Sequence, residues 1–123
     1  MATLNDRVFD NGLTVLDTEA NKITITSAEA TTYTQGNATF ALGSSTTLSI
    51  AAPADRTGGG RKVTAAAITD GAVSASGTAT HYAILDTVNL RLLATGSLTA
   101  SQAVTSGNTF TLSSFDIGIP DPA

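Results

Sequence analysis

The sequence predicts a mainly β protein: a single antiparallel β-sandwich, immunoglobulin-like or jelly-roll-like, with a short N-terminal helix. Three observations predict it. Short runs of β-branched and aromatic residues recur along the chain, separated by Gly, Asp, Asn or Pro. Threonine (22), serine (11) and glycine (11) are abundant, which suits strands joined by tight turns. The length, 123 residues, fits one domain with its own modest core. Residues 1–20 are expected to be an N-terminal segment packed on, or extending from, a domain that spans residues 21–123.

The first element is the least settled. Leu4, Val8, Phe9, Leu13 and Leu16 share one face at helical spacing, and Asn5 can cap that helix. Against this, Asn11-Gly12 is a strong hairpin signal, and a mid-helix Gly costs roughly 1 kcal/mol relative to Ala. A hairpin here would have arms of only about four residues, near the short end for strands, so a helix over residues 5–16 is the favoured reading.

Lys22 to Thr26 alternates cleanly and predicts a strand. Residues 28–37 are polar and without period, which predicts a surface loop. Residues 38–42 and 47–51 predict short strands joined by Gly43-Ser44-Ser45. Pro53 to Gly60 predicts a flexible loop or bulge, because Pro53 lacks a ladder donor and the glycines cost entropy to order. Arg61 to Ile68 predicts a strand, Asp70-Gly71 a hairpin turn, and Ala72 to Ser76 the strand returning from it. The clearest pattern is Gly77 to Leu98. Two arms, Thr78–Leu85 and Asn89–Thr95, flank a polar connection starting at Asp86. Neither face of the first arm is fully polar, so this hairpin is expected in mid-sheet, covered on both sides. Gly96 to Gly107 is small and polar. Residues 108–112 and 115–119 predict the last strands, ended by Pro120.

Composition narrows the function classes. Charged residues make up only 13% of the chain and the net charge is −4, which argues against nucleic-acid binding, since that requires a basic field. Without cysteine there is no disulfide framework and no thiolate metal site. No apolar run reaches membrane-spanning length, and no secretory leader pattern is visible. No catalytic, cofactor-binding or metal-ligating constellation stands out. His81 is the lone histidine; Ser76 and Asp86 lie near it in sequence, but no nucleophile-elbow motif does. The aspartates of the loops match no calcium-binding spacing. Asp55, Arg56, Gly58, Gly59, Gly60, Arg61 and Lys62 form the most distinctive stretch: a Gly-rich loop with basic ends. A phosphate-binding loop would place its Lys before Ser or Thr at a helix start, whereas Lys62 precedes Val63 in a strand. The stretch reads instead as a solvated hairpin loop, or as a mobile basic segment that orders on an acidic partner. Tyr33, in the polar loop, is a further candidate contact residue.

Three runs, EATTYTQGNATFALG, APADRTGGGRKVTAAAITDGAVSASGTATHYAILDT and LLATGSLTASQAVTSGNTFTLSSFDIGIPDP, carry a resemblance to small structural proteins of tailed bacteriophages and prophages. ADRTGGGRK, SGTATHYAI and SQAVTSGNTF are its most specific pieces, and they are packing and turn motifs, not a catalytic signature. The resemblance implies a helical N-terminal segment and a virion role without enzymatic activity. The first expectation is a capsid decoration (cement) protein, made in the host bacterial cytoplasm, that binds the assembled major capsid protein on the capsid surface and stabilises the head. A homo-oligomer is expected, a trimer by capsid symmetry. The N-terminal segment, the loop from Asp55 to Arg61 and the region from Gln35 to Ser45 would reach across capsomers. The second expectation is a tail or head-fibre component, or a receptor-binding module contacting host glycan through Tyr33 and His81.

Overall fold

The computed structural model describes residues 5–120. The fold is mainly β and antiparallel with a short N-terminal helix, as expected. Its elements are α1 (Asp6–Glu19), β1 (Lys22–Thr26), a one-turn π-helix (Gln35–Thr39), β2 (Ala41–Ser45), β3 (Ala54–Asp55), β4 (Arg61–Ala65), β5 (Ile68–Val73), β6 (Gly77–Asp86), β7 (Arg91–Val104), β8 (Thr109–Leu112) and β9 (Phe115–Ile119). They form two compact units interleaved along the chain. One unit holds Met1–Glu19, Ser49–Ala67 and Ser113–Ala123; the other holds Ala20–Leu48 and Ile68–Leu112. One crossing between them falls between Glu19 and Ala20.

The helix-bearing unit is built on the three-stranded sheet β3-β4-β9. The spacing that argued for a helix is realised: Phe9, Leu13 and Leu16 are buried on one face of α1, which packs on β4. Leu4 and the side chain of Val8, expected on that face, lie outside the described residues. Asn5 Oδ1 accepts from the Arg7 backbone N–H at 2.9 Å, a side-chain N-cap. The Asn11-Gly12 pair sits on the exposed side of the helix, so helical packing overrides its hairpin preference. Val63 and Ala65 carry the core from β4. The strand expected over residues 47–51 is absent; only Ile50 makes an isolated bridge, to Ala65.

The other unit is a six-stranded sheet of order β7-β6-β1-β2-β5-β8. β1 is its hub. It pairs with β2 on one side and β6 on the other, and Ile23, Thr24, Ile25 and Thr26 are all buried. With Ala83, Ile84 and Leu85 of β6, also fully buried, it makes the core. The central hairpin of the sequence reading exists, but at the sheet's margin: β6 is second and β7 is the edge. β7 also runs on through the small polar stretch expected to be irregular. Ala79 pairs with Gln102 and His81 with Ser97, so residues 98–101 bulge opposite Thr80 alone; Leu93 is a second, single-residue bulge between the pairs Ile84–Ala94 and Leu85–Leu92.

The outermost strands β7 and β8 are consecutive in the chain and joined by only four residues, 105–108. Gln102 Nε2 of β7 donates to the Thr111 carbonyl of β8 at 3.4 Å. Both facts require the sheet to roll until its margins approach, as in a barrel not fully laddered shut.

Two further expectations are corrected. Asp70-Gly71 lies inside β5, not in a turn, because Gly71 faces Phe110 of β8 and makes room for its ring. A Cβ at Gly71 would overlap that ring, and one at Gly43 would come 3.0 Å from it and 2.7 Å from the Ala72 carbonyl. Glycine is required here for close approach. The polar run at 28–37 is not loop throughout: it enters the helical turn Gln35–Thr39, which also displaces the start of β2 from residue 38 to Ala41.

Gly12 is helical, exposed and has open space where a Cβ would point. Gly12→Ala should therefore stabilise the protein by about 0.5–1 kcal/mol in urea unfolding. Gly71→Ala should destabilise it by roughly 2 kcal/mol through overpacking against Phe110; an unchanged denaturation midpoint would contradict that fit.

Candidate functional site

The basic loop expected to be the contact site is a hairpin loop with its own internal hydrogen bonds. β3 pairs with the start of β4, Ala54 with Lys62 and Asp55 with Arg61. The chain between them turns through Gly58, Gly59 and Gly60, all with φ near +90° to +103°, a region glycine enters without steric cost. The Arg56 backbone N–H donates to the Gly60 carbonyl at 3.2 Å and Gly59 N–H to the Arg56 carbonyl at 3.1 Å. The Arg56 side chain folds back on the same loop, its Nη1 donating to the Gly59 carbonyl at 3.0 Å.

The other two cations of the stretch are paired within their unit. Arg61 Nε meets Asp10 Oδ1 of α1 at 2.9 Å, and its Nη1 meets Asp55 Oδ1 at 2.6 Å. Its Nη2 donates to Asp10 Oδ2 and to the Pro53 carbonyl, each at 3.3 Å. The Arg61 side chain is 17% exposed, so this is a largely buried fork that ties the helix to both arms of the hairpin. Lys62 Nζ contacts Asp116 Oδ2 of β9 at 2.9 Å, and Thr64 Oγ1 donates to Asp116 Oδ1 at 2.7 Å. The Thr64 bond, then Lys62, hold the Asp116 carboxyl below the usual range. The sequence reading placed the loop and its glycines. It missed Asp10 and Asp116 as partners, which lie 51 and 54 residues from the cations they bind.

Tyr33 is half-buried at the entry to the helical turn, away from the expected open loop. His81 is half-buried in β6, with Nδ1 2.8 Å from Thr80 Oγ1. Asp86 and Ser76 do not join it. Asp86 is 2% exposed and is spent on its own turn: Oδ1 accepts from Val88 N–H at 3.0 Å and Asn89 N–H at 3.2 Å, and Oδ2 from Asn89 Nδ2 at 2.8 Å. The Asn89 side chain, then these backbone groups and the charge of Arg91, lower its pKa. Ser76 Oγ accepts from Ser106 N–H. Asp70 gathers hydroxyls, with Thr47 Oγ1 at 2.8 Å and Ser45 Oγ at 3.1 Å, and these bonds lower its pKa. Burial raises the pKa of Tyr82. Among the described residues, no three His, Asp or Glu side chains are grouped to hold a metal ion.

What the surface offers instead is the β6–β7 tip. Val88 is 79% and Leu90 65% exposed, and Leu90 has φ +58°. A non-Gly residue in that region costs roughly 1–2 kcal/mol. The strain is held in place by the Asp86 bonds and by Thr87 N–H donating to Asn21 Oδ1 at 3.0 Å. The sequence signalled the turn through Asp86 and Asn89; the strained apolar residue at its end had no signal. Compared with protein-family models, curated proteins and solved structures, the chain matches none.

Arg61→Ala should cost about 2 kcal/mol, because it leaves Asp10 and the Pro53 carbonyl without their donor. Arg61→Lys should recover only part of that, since an ammonium cannot span the fork. Chemical denaturation of the two variants measures both. Three carboxylates, Asp70, Asp86 and Asp116, have folded pKa values lowered below the unfolded value of about 3.9. Below that pH the unfolded chain binds more protons than the native one, so stability falls as pH drops toward the folded values and is fully present above about pH 5. Asp86→Asn should flatten this acid limb of the urea midpoint-versus-pH curve.

Proposed function

We propose that this protein is a virion structural protein of a tailed bacteriophage, most simply a capsid decoration protein that binds the assembled major capsid protein and stabilises the head. The observation that carries the reading is the character of the exposed surface. Strand faces are dressed with Thr, Ser and Ala rather than charge, and the most exposed large hydrophobic side chains described sit together on the β6–β7 tip. Such a surface suits extensive contact with neighbours, because interface cores are depleted of charged residues. Binding of the assembled lattice alone would stabilise it by mass action. The resemblance of the three sequence runs to phage structural proteins supports the same reading.

In this mechanism the Gly-rich loop acts as the hairpin loop the sequence favoured, not as a basic arm that orders on an acidic partner. Its Arg61 and Lys62 charges are engaged inside the protein, so contact would run through shape and neutral surface rather than through a field of positive charge.

Purified protein added to undecorated phage heads should bind saturably, and the decorated heads should melt at higher temperature. Binding to tail tubes or fibres would move the assignment to a tail or head-fibre component. Binding to none of these would remove the virion reading.

A further inference from the structure

We infer that the outer edge of β7 is a self-association surface, and that its occupant is the same strand of a second copy, paired antiparallel about a two-fold axis at Ala94. This goes beyond the particle assignment and holds whether or not the protein sits on a capsid.

Four observations carry it. First, the six-stranded sheet ends at β7, and β6 is the only strand that pairs with it among the described residues. An unpaired edge presents a row of backbone N–H and C=O groups whose natural complement is another strand. Second, the usual protections are thin. Across Arg91–Val104 there is no proline and a single charge, Arg91. The bulge at residues 98–101 ends the straight part of the edge, leaving 91–97 to pair. The bulges, at Leu93 and at residues 98–101, are the protections the edge does carry.

Third, the segment is complementary to itself. About Ala94, Leu92 faces Gly96 of the partner subunit, Leu93 faces Thr95 of the partner subunit and Arg91 faces Ser97 of the partner subunit. No like charges oppose each other. Just beyond the paired stretch, the exposed Leu90 of the turn comes next to Leu98 of the partner subunit, which gives an apolar neighbour to one of the two most exposed large hydrophobic side chains described. It also gives a reason to hold Leu90 at φ +58°, a conformation that Gly or Asn would adopt more cheaply.

Fourth, growth stops at two. The opposite margin, β8, lies within reach of β7's own tail through the bond from Gln102 to the Thr111 carbonyl. Pairing of identical edges is isologous and consumes both, so the product is a closed dimer rather than the trimer expected from capsid symmetry, and not a fibre.

The test is sedimentation equilibrium of the full chain from micromolar to millimolar concentration, with Leu90→Asn, Ser97→Lys and Ser97→Glu alongside. The wild type should approach twice its 12.4 kDa with rising concentration. Ser97 is exposed, so both of its variants should fold, checked by thermal melting. They should act in opposite directions: Lys opposes Arg91 of the partner subunit twice per dimer and weakens association, whereas Glu attracts it twice and tightens association, each by roughly fivefold. Leu90→Asn should weaken the dimer while raising the melting temperature of the dilute monomer, which a purely structural role for Leu90 would not produce. A wild type that stays monomeric throughout, or Lys and Glu variants that shift the equilibrium alike, would overturn the assignment.

Discussion

A strand buried on both faces must place every polar group it carries, and β1 is such a strand. Thr24 and Thr26 are as buried as the isoleucines between which they alternate. A buried hydroxyl without a partner costs on the order of 1–3 kcal/mol. Thr24 Oγ1 resolves this by donating to the Gly36 carbonyl at 2.7 Å, and Thr26 Oγ1 by donating to the Ala28 carbonyl at 2.8 Å. The chain that follows β1 therefore has to fold back over it. Its close approach is possible because position 36 lacks a side chain: a Cβ there would come within 3.2 Å of Ala83 and Leu85. Lys22 Nζ, bonded to Asn37 Oδ1 at 2.8 Å, closes the other end of the same turn. Much of the covering of the sheet follows from where two hydroxyls had to go.

The helix-bearing unit solves a similar problem with charge. A guanidinium that is only 17% exposed holds α1, β3 and β4 together through Asp10, Asp55 and the Pro53 carbonyl. These acceptors share one planar fork, so the desolvation of Arg61 is offset by more than a single ion pair. Lys62, half-buried and one residue further along, faces the opposite way and binds β9. The alternation of the strand thus sends two consecutive cations to two different partners. A stretch that reads as a solvated hairpin loop or a mobile basic segment is in this way made into a joint.

Elements whose causes are local were legible in the sequence. The helix was foreshadowed by Phe9, Leu13 and Leu16 and by the cap at Asn5; β1 by its alternation; the β6 turn by Asp86 and Asn89. What escaped has distant causes. Asp70-Gly71 has the chemistry of a turn, and only Phe110, some forty residues later, makes Gly71 a place for a ring instead. The helical turn at Gln35–Thr39 has no apolar period of its own and depends on Thr24. The Ser- and Gly-rich half of β7 is a strand because β6 supplies a ladder. At the candidate site the glycines announced the loop, but the acids that immobilise it come from α1 and β9. The left-handed Leu90 breaks a local preference, and no neighbouring residue in the sequence betrays it.

The interleaving of the two units bears on how the chain is assembled during synthesis. The six-stranded sheet is contained between Ala20 and Leu112, interrupted by one excursion. The helix-bearing unit draws on the first helix, a middle segment and the last strand, so it cannot be finished until Phe115–Ile119 has left the ribosome. Until then the apolar side of α1 waits with only part of its sheet, while the larger sheet already has all its strands. Clipping within α1 or within β9 would injure this same unit, far apart as the two elements lie in sequence.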